Sequence, residues 1–296
     1  MRLGIDWGGT KMEIIALGTE GEEMFRKRVP TPRDDYRGCI KAVVALVASA
    51  EAETGKEGTL GIGIPGSLSP KTGLVKNSNA TWLNGMPLDR DIEEALGRPV
   101  RIQNDANCMA VSEATDGAGA GKHLVHALII GTGAGSGIAI DGKAHRGANG
   151  IAGEWGAITV PWIPAADFPG PDCWIGHRGA IERWCSGTGF QADYLERTGI
   201  SRKGREIVDL KRQGDKVAIA VYDAFVDRLG RALAMSANLL DPDVFVLGGG
   251  MSNVEELYAD LPSAMAPYVF SDRYETLICK AVHGDSSGVR GAAWLW

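Results

Sequence analysis

The feature that most limits how this chain can fold is a glycine turn that recurs at the ends of apolar strands. Leu3-Gly4-Ile5-Asp6 runs into Gly8-Gly9-Thr10, and the chain returns as Glu13-Ile14-Ile15-Ala16-Leu17. Residues 124–130 run into Gly131-Thr132-Gly133-Ala134-Gly135-Ser136-Gly137 and return as Ile138-Ala139-Ile140. Each passage reads as a strand, a tight turn and a returning strand. Two such units suggest a duplicated architecture. A third run, Gly248-Gly249-Gly250, follows the apolar stretch 243–247. With 41 glycines in 296 residues, the chain carries nearly twice the usual share of ~7%.

The rest of the chain alternates between the two periodicities. A third strand is expected at 24–29. Ile40, Val43, Val44, Leu46 and Val47 follow Asp34-Asp35 at helical spacing, and Gly55 ends that pattern. A short strand at 60–64 precedes Pro65-Gly66, a helix at 89–96 ends at Gly97, and a strand at 100–103 leads into a helix at 105–117. Asp141-Gly142 reads as a hairpin turn. Residues 143–187 have little periodicity, but Trp155, Trp162, Trp174 and Trp184 argue that they are ordered. A long helix at 217–240, the strand at 243–247, a further helix and strand, and a segment from Gly288 complete the chain. This alternation places it in the α/β class. The small-residue stretch 116–122 marks the expected domain boundary.

A glycine turn after a strand lets backbone N–H groups converge on an anion, with no Cβ in the way. Thr10 adds a hydroxyl donor and Lys11 a charge. A plain hairpin turn accounts equally for one such passage. Three in one chain point to a nucleotide, with phosphates at two turns and the base near the third. The G-x-x-x-x-G-K-[ST] spacing of a P-loop is absent, and the first turn lacks G-x-G-x-x-G.

Composition removes other classes. The net charge of −6 argues against nucleic acid or an anionic membrane as the main partner. No apolar run reaches the ~18 residues of a spanning helix. The opening Met1-Arg2-Leu3-Gly4-Ile5-Asp6 lacks the features of a signal peptide. Five scattered cysteines read as reduced thiols, and the expected location is cytoplasmic.

Further motifs join the turns. Asp6-Trp7-Gly8-Gly9-Thr10 is a D-x-G-G-T turn, and Ile64-Pro65-Gly66 carries a proline-glycine loop. Asn104-Asp105-Ala106-Asn107 is an N-D-x-N run, Gly131–Gly135 a G-T-G-x-G turn, Glu154-Trp155-Gly156 an E-x-G segment, and Leu247-Gly248-Gly249-Gly250 follows a strand. Together these resemble the ROK family of sugar kinases, which shares the actin-like ATPase (ribonuclease H-like) fold of hexokinases. The likeness covers nearly the whole chain. Pro30-Thr31-Pro32-Arg33-Asp34-Asp35-Tyr36, Thr81-Trp82-Leu83-Asn84-Gly85 and His283-Gly284-Asp285-Ser286-Ser287-Gly288 are most similar to the bacterial fructokinases, including the manno(fructo)kinase type.

The resemblance implies two α/β domains, 1–117 with 283–296 and 118–282, and a cleft between them. It implies Mg-ATP as phosphate donor and a sugar as acceptor. Asp105, at a strand end and a helix start, reads from the residues alone as either a base or an N-cap; the resemblance makes it the general base. The resemblance assigns the sugar to Gly66, Ser67, Asn79, Asn104, Asp105, Glu154 and Glu182. Without it, Glu154 is a loop carboxylate and Glu182 a solvated helix residue. It assigns ATP to Asp6, Gly8, Gly9, Thr10, Lys11, Gly131, Thr132, Gly133, Gly135, Gly248, Gly249 and Gly250. Asp6, otherwise a turn aspartate, orients Mg²⁺ through water.

The family's structural zinc uses a histidine after E-x-G and three cysteines in C-x-C-G-x-x-G-C. Here those positions read Ala157, Cys173, Ile175 and Ala180, so no zinc is expected. Packing by the four tryptophans is the expected substitute. Fructose or mannose is the leading substrate. An N-acetylhexosamine or glucose is the alternative, and a catalytically impaired sugar-binding protein a further one. A ROK-type repressor is disfavoured, because the first turn begins at Asp6 and leaves no room for a DNA-binding module. A homodimer is expected by analogy.

Overall fold

The computed structural model describes residues 1–174 and 176–296, apart from the side chain of Asp285. Along the chain run β1 (Arg2–Trp7), β2 (Lys11–Leu17), β3 (Glu23–Pro30), α1 (Tyr36–Thr54), β4 (Thr59–Ile64), the short β5 (Ser67–Leu68) and β6 (Val75–Lys76), α2 (Leu88–Leu96), β7 (Val100–Asn104) and α3 (Asp105–Thr115). Then come β8 (Leu124–Ile130), β9 (Ala134–Ile140), β10 (Lys143–Ala144), α4 (Ile181–Cys185), α5 (Gly187–Thr198), α6 (Gly204–Arg212), α7 (Lys216–Leu240), β11 (Val244–Gly248), α8 (Glu256–Met265), β12 (Leu277–Lys280) and α9 (Ser287–Ala293). The helix stops read from sequence are real caps: Gly55 and Gly97 both take the left-handed conformation after α1 and α2.

Two five-stranded sheets share one plan. Their orders are β3-β2-β1-β4-β7 and β10-β9-β8-β11-β12. In the first, β1 is antiparallel to β2 and parallel to β4, and β4 is parallel to β7. Asp6 pairs with Gly63, and Ile64 with Asn104. Parallel register therefore brings the C-terminal ends of β1, β4 and β7 to one edge, where open α/β sheets place their ligands.

Compactness divides the chain into two units. One holds 1–125, 137–153 and 285–296, and the other 126–136 and 154–284. Composition marked 116–122 as the boundary and the resemblance 117; by compactness 118–125 and 137–153 group with the first unit. The core of the first unit is built from Leu3, Ile5 and Trp7 of β1, Ile14 of β2, and Val43, Leu46 and Val47 of α1. The closing helix α9 belongs to this unit. Val289 and Ala293 pack on Ile15 and Leu17, and the Ser287 hydroxyl donates to Glu113 at 2.8 Å. The second unit centres on α7, whose Phe225, Leu229 and Leu233 bury against Phe190, Phe245 and Leu261.

Two expectations need correction. The second glycine turn is shorter than the glycine run: β9 begins at Ala134, so Gly135 and Gly137 are strand residues. A Cβ at Gly137 would lie 2.2 Å from the Ala106 carbonyl, so close packing explains that glycine. The four tryptophans also do not share one role. Trp155 is buried and Trp184 lies under the Arg228 guanidinium at 3.7 Å, but Trp162 is 50% and Trp174 81% exposed. Among the described residues no helix is long and apolar enough to cross a membrane.

Candidate functional site

In the first unit the D-x-G-G-T turn is held tightly. Gly8 N–H donates to the Lys11 carbonyl at 2.9 Å, and the Thr31 hydroxyl donates to the Gly8 carbonyl at 2.7 Å. Beside Gly9, where a Cβ would point, nothing lies within 4 Å. The turn is therefore rigid on one side and open on the other, as a phosphate cradle requires. Sequence reading missed Thr31 in this role, because its contact with the turn depends on β2–β3 pairing.

Asp6, the penultimate residue of β1, lies among charges. Its neighbour across β2 is Glu13, which is buried and paired with Arg26 at 3.1 Å and with Arg28. Burial pushes the Asp6 carboxyl up to about 7, with the Asp105 and Glu13 carboxylates adding and Lys11 and Arg28 opposing. A carboxylate so unfavourable alone gains from a cation beside it. A carboxylate oxygen is the kind of donor that suits Mg²⁺.

At the end of β7 the cap and the acid are separate residues. Asn104 is the N-cap of α3, and its side-chain oxygen accepts from Ala106 N–H at 2.9 Å and Asn107 N–H at 3.3 Å. Its amide donates to the Gly66 carbonyl at 3.2 Å, tying the proline-glycine loop to the helix start. Asp105 is then the first helical residue, where the helix dipole favours a negative charge. One of its oxygens accepts from Ala106 N–H at 2.8 Å. Ser67 opens β5 opposite Lys76 on β6. Asn79 is exposed on the loop that follows, and Asn84 clamps that loop through two 2.9 Å bonds to the Ser78 backbone.

The second unit builds its turn from backbone. Gly131 N–H donates to the Gly133 carbonyl at 2.9 Å, and Gly187 N–H to the Gly131 carbonyl at 2.7 Å. The Thr188 hydroxyl donates to the Thr132 carbonyl at 2.6 Å. Gly249, at φ +78°, lies so close to β8 that a Cβ would be 2.7 Å from the Ile130 carbonyl. Gly248 ends β11 buried, while beside Gly131, Gly135 and Gly250 the Cβ positions are open. Ser186, Gly187 and Thr188 were not anticipated. Their composition announces a helix start but not the distant turn that it meets.

Two carboxylates stand beside this turn's elements. Glu182, on α4, accepts from Ala134 N–H at 3.3 Å and from the Trp174 indole N–H at 2.8 Å. Glu154 precedes a single helical turn over 155–157, and Trp155 after it is buried against His126. His126 bonds Ser136 at 2.9 Å, and burial lowers its pKa to about 4, so the ring is neutral near pH 7.

Two of the positions at which the resemblance places zinc ligands carry no donor. Ala157 and Ala180 have no ligating atom. Nε2 of His177 donates to the Ala157 carbonyl at 2.7 Å. Ile175 lies outside the described residues. Among the described residues no cluster of three His, Cys, Asp or Glu could hold a metal ion.

The ROK family model matches residues 2–296. The chain belongs to the ROK family. An N-acetyl-D-glucosamine kinase of Photobacterium profundum is 41% identical over 299 residues, covering 100% of this ROK chain and 99% of that protein. The ROK hexokinase of Thermus thermophilus superposes with a TM-score of 0.88 at 30% identity, covering 99% of this chain and 97% of that one. A ROK glucokinase from Streptomyces griseus, in complex with glucose and AMPPNP, gives 0.77 at 30% identity with the same coverage, 99% and 97%. The fold is thus the α/β fold of the ROK hexokinases. The finer likeness to fructokinases drawn from the motifs is not matched by this curated relative, which phosphorylates N-acetyl-D-glucosamine by name.

Proposed function

We propose that this ROK protein is an ATP-dependent kinase of an N-acetylhexosamine, N-acetylglucosamine foremost, with Asp105 as general base. The observation that carries the catalytic part is the division of labour at the end of β7. Asn104 caps α3, so Asp105 does not have to serve as the helix cap. The sugar assignment is supported by the 41% identity over the full chain to an N-acetyl-D-glucosamine kinase. That replaces fructose or mannose as the leading substrate.

In this reading the Asp105 carboxylate accepts a hydrogen bond from the attacking sugar hydroxyl and takes its proton late in transfer. Gly66, Ser67, Asn79, Asn104, Glu154 and Glu182 bind the other hydroxyls. The nucleotide is taken by Gly8, Gly9, Thr10 and Lys11, and by Gly131, Thr132, Gly133, Gly135, Gly248, Gly249 and Gly250. Asp6 holds Mg²⁺ through water, and the ion supplies neutralisation of phosphate charge. Zinc is not needed, because hydrogen bonds pin the loop that it fixes elsewhere. A homodimer completes the proposal, and sedimentation velocity tests it.

The deciding experiment measures ADP release with Mg-ATP over N-acetylglucosamine, N-acetylmannosamine, glucose, mannose and fructose. N-acetylglucosamine should give the highest kcat/KM, and Asp105→Asn should remove turnover. Preference for fructose would restore the other hexose reading. Folded protein that binds ATP but turns over none of the sugars would leave a sugar-binding protein.

A further inference from the structure

A tryptophan that is 81% exposed yet donates a hydrogen bond to a half-buried carboxylate is an unusual arrangement. Trp174 lies two residues after Asp172, in a segment whose ends are paired. Asp172 and Arg178 form a β-bridge and an ion pair at 2.7 Å. Cys173 N–H donates to the His177 carbonyl at 3.0 Å, and Gly179 N–H to the Pro171 carbonyl at 2.9 Å. The His177 side chain fastens this segment to Ala157, two residues before the Thr159–Ala180 bridge. All of these bonds hold the backbone. None of them requires an indole at position 174.

The indole makes one polar contact, its N–H to Oε1 of Glu182 at 2.8 Å. Oε2 of the same carboxylate accepts from Ala134 N–H at 3.3 Å. The carboxylate plane is thereby set from both sides. A carboxylate has about four acceptor sites, so capacity remains for hydroxyl donors. The ring itself stays in water. An aromatic side chain has a large apolar area to bury, and hexose rings present apolar C–H faces beside their hydroxyls. A flat apolar surface joined to an oriented carboxylate matches a hexose ring: hydroxyls go to the acid, and the C–H face goes to the indole.

We propose that Trp174 is a sugar-contacting specificity residue, with its N–H orienting Glu182 and its exposed ring covering the apolar face of the bound hexose. This rests on the reading of Glu182 as a sugar ligand. The exposed ring is then the part of the site that the sugar completes.

The test compares wild type, Trp174→Phe and Trp174→Ala with Glu182→Gln. Thermal midpoints of the two Trp174 variants should match wild type, because the ring is exposed. Trp174→Ala should raise the KM for sugar about tenfold or more, leaving the KM for ATP and kcat within about threefold. Trp174→Phe, which keeps a ring and loses the N–H, should fall between. Sugar added without ATP should change the tryptophan emission of wild type and leave that of Trp174→Phe much less affected. Unchanged sugar KM in Trp174→Ala, or an undiminished emission change in Trp174→Phe, overturns the proposal. If Glu182→Gln leaves the sugar KM intact while Trp174→Ala raises it, the Glu182 assignment and the orienting role of the indole N–H are overturned, and only the ring contact stands. If wild type phosphorylates no sugar, the kinase reading fails. The emission titration still decides Trp174: a sugar signal lost in Trp174→Phe supports it, and no signal overturns it.

Discussion

The two sheets place their glycine turns in the same position, between the central strand and its hairpin partner, but surround them differently. The turn after β1 is ringed by charge: Asp6, Lys11, the buried Glu13 and Arg28. The turn after β8 is held mainly by backbone and hydroxyls, the Gly187 N–H, Thr188, and Gly249 pressed against Ile130, with a single carboxylate, Glu182, beside Gly133 and Ala134. The strand after β4 in sheet order carries Asn104 and Asp105 at its end. Its counterpart β12 ends at Lys280 and is followed by Ala281 and Val282 in place of an asparagine and an aspartate. Repeating a sheet order reproduces where a turn sits. It does not reproduce the chemistry there, which comes from side chains that each copy carries for itself.

The strongest way to break that contrast is to remove charge from the first unit. Asp105→Asn keeps shape and polarity and removes the base. Its kcat should fall about 10³-fold, with its thermal midpoint unchanged, since Asn104 still caps α3. A variant retaining a tenth of wild-type kcat would remove Asp105 from the role of base.

Asp6→Asn should separate stability from activity. The folded pKa of Asp6 is about 7, above the ordinary 3.8. The folded ligand-free state therefore holds a proton that the unfolded chain releases between those values. Its stability should fall as pH rises from 4 through 7 and level off above. Asp6→Asn removes this slope, so it should be more stable than wild type at pH 8 and little different at pH 4. Turnover should drop about a hundredfold, the order seen when one charge-stabilising group is lost. Denaturant unfolding at the two pH values, together with ADP release, checks both signs. A variant less stable than wild type at pH 8 would contradict the strained carboxyl.

The glycines sharpen the comparison at smaller scale. Gly249→Ala forces a Cβ against the β8 carbonyl at a positive φ and should cost about 2 kcal/mol of stability. Gly9→Ala meets nothing within 4 Å and should leave stability nearly unchanged while weakening ATP binding. Equal stability losses in both would show that the first turn is not open. The smallest expected effect is that of a chelator. Dialysis against EDTA should leave the thermal midpoint where it was, and metal analysis should find no stoichiometric zinc.

Much of the fold was legible because its signals are local. Helical spacing from Ile40 to Val47, the caps at Gly55 and Gly97, and the strand at 124–130 depend on neighbours a few residues apart. The glycine-rich run at 131–137 misled by four residues on where the turn ends, because glycine serves a turn and a close contact equally well. Gly137 owes its identity to Ala106, which periodicity cannot see. The stretch 143–187 was the hardest to read. Its four tryptophans look alike in sequence, yet one is buried, one lies beneath an arginine and two face water.

By itself, the sequence determined the α/β class, the two strand–turn–strand units and the placing of Asp105 between a strand and a helix. Those follow from backbone preference and short-range spacing. Tertiary structure decided that Glu13 and Asp105 press upon Asp6, that Thr31 and Gly187 brace the two turns, and that Trp174 bonds Glu182. Each of these depends on a choice among alternative hydrogen-bond partners or on strand pairing. Only burial and register, which bring segments together across the chain, settle which partner is within reach.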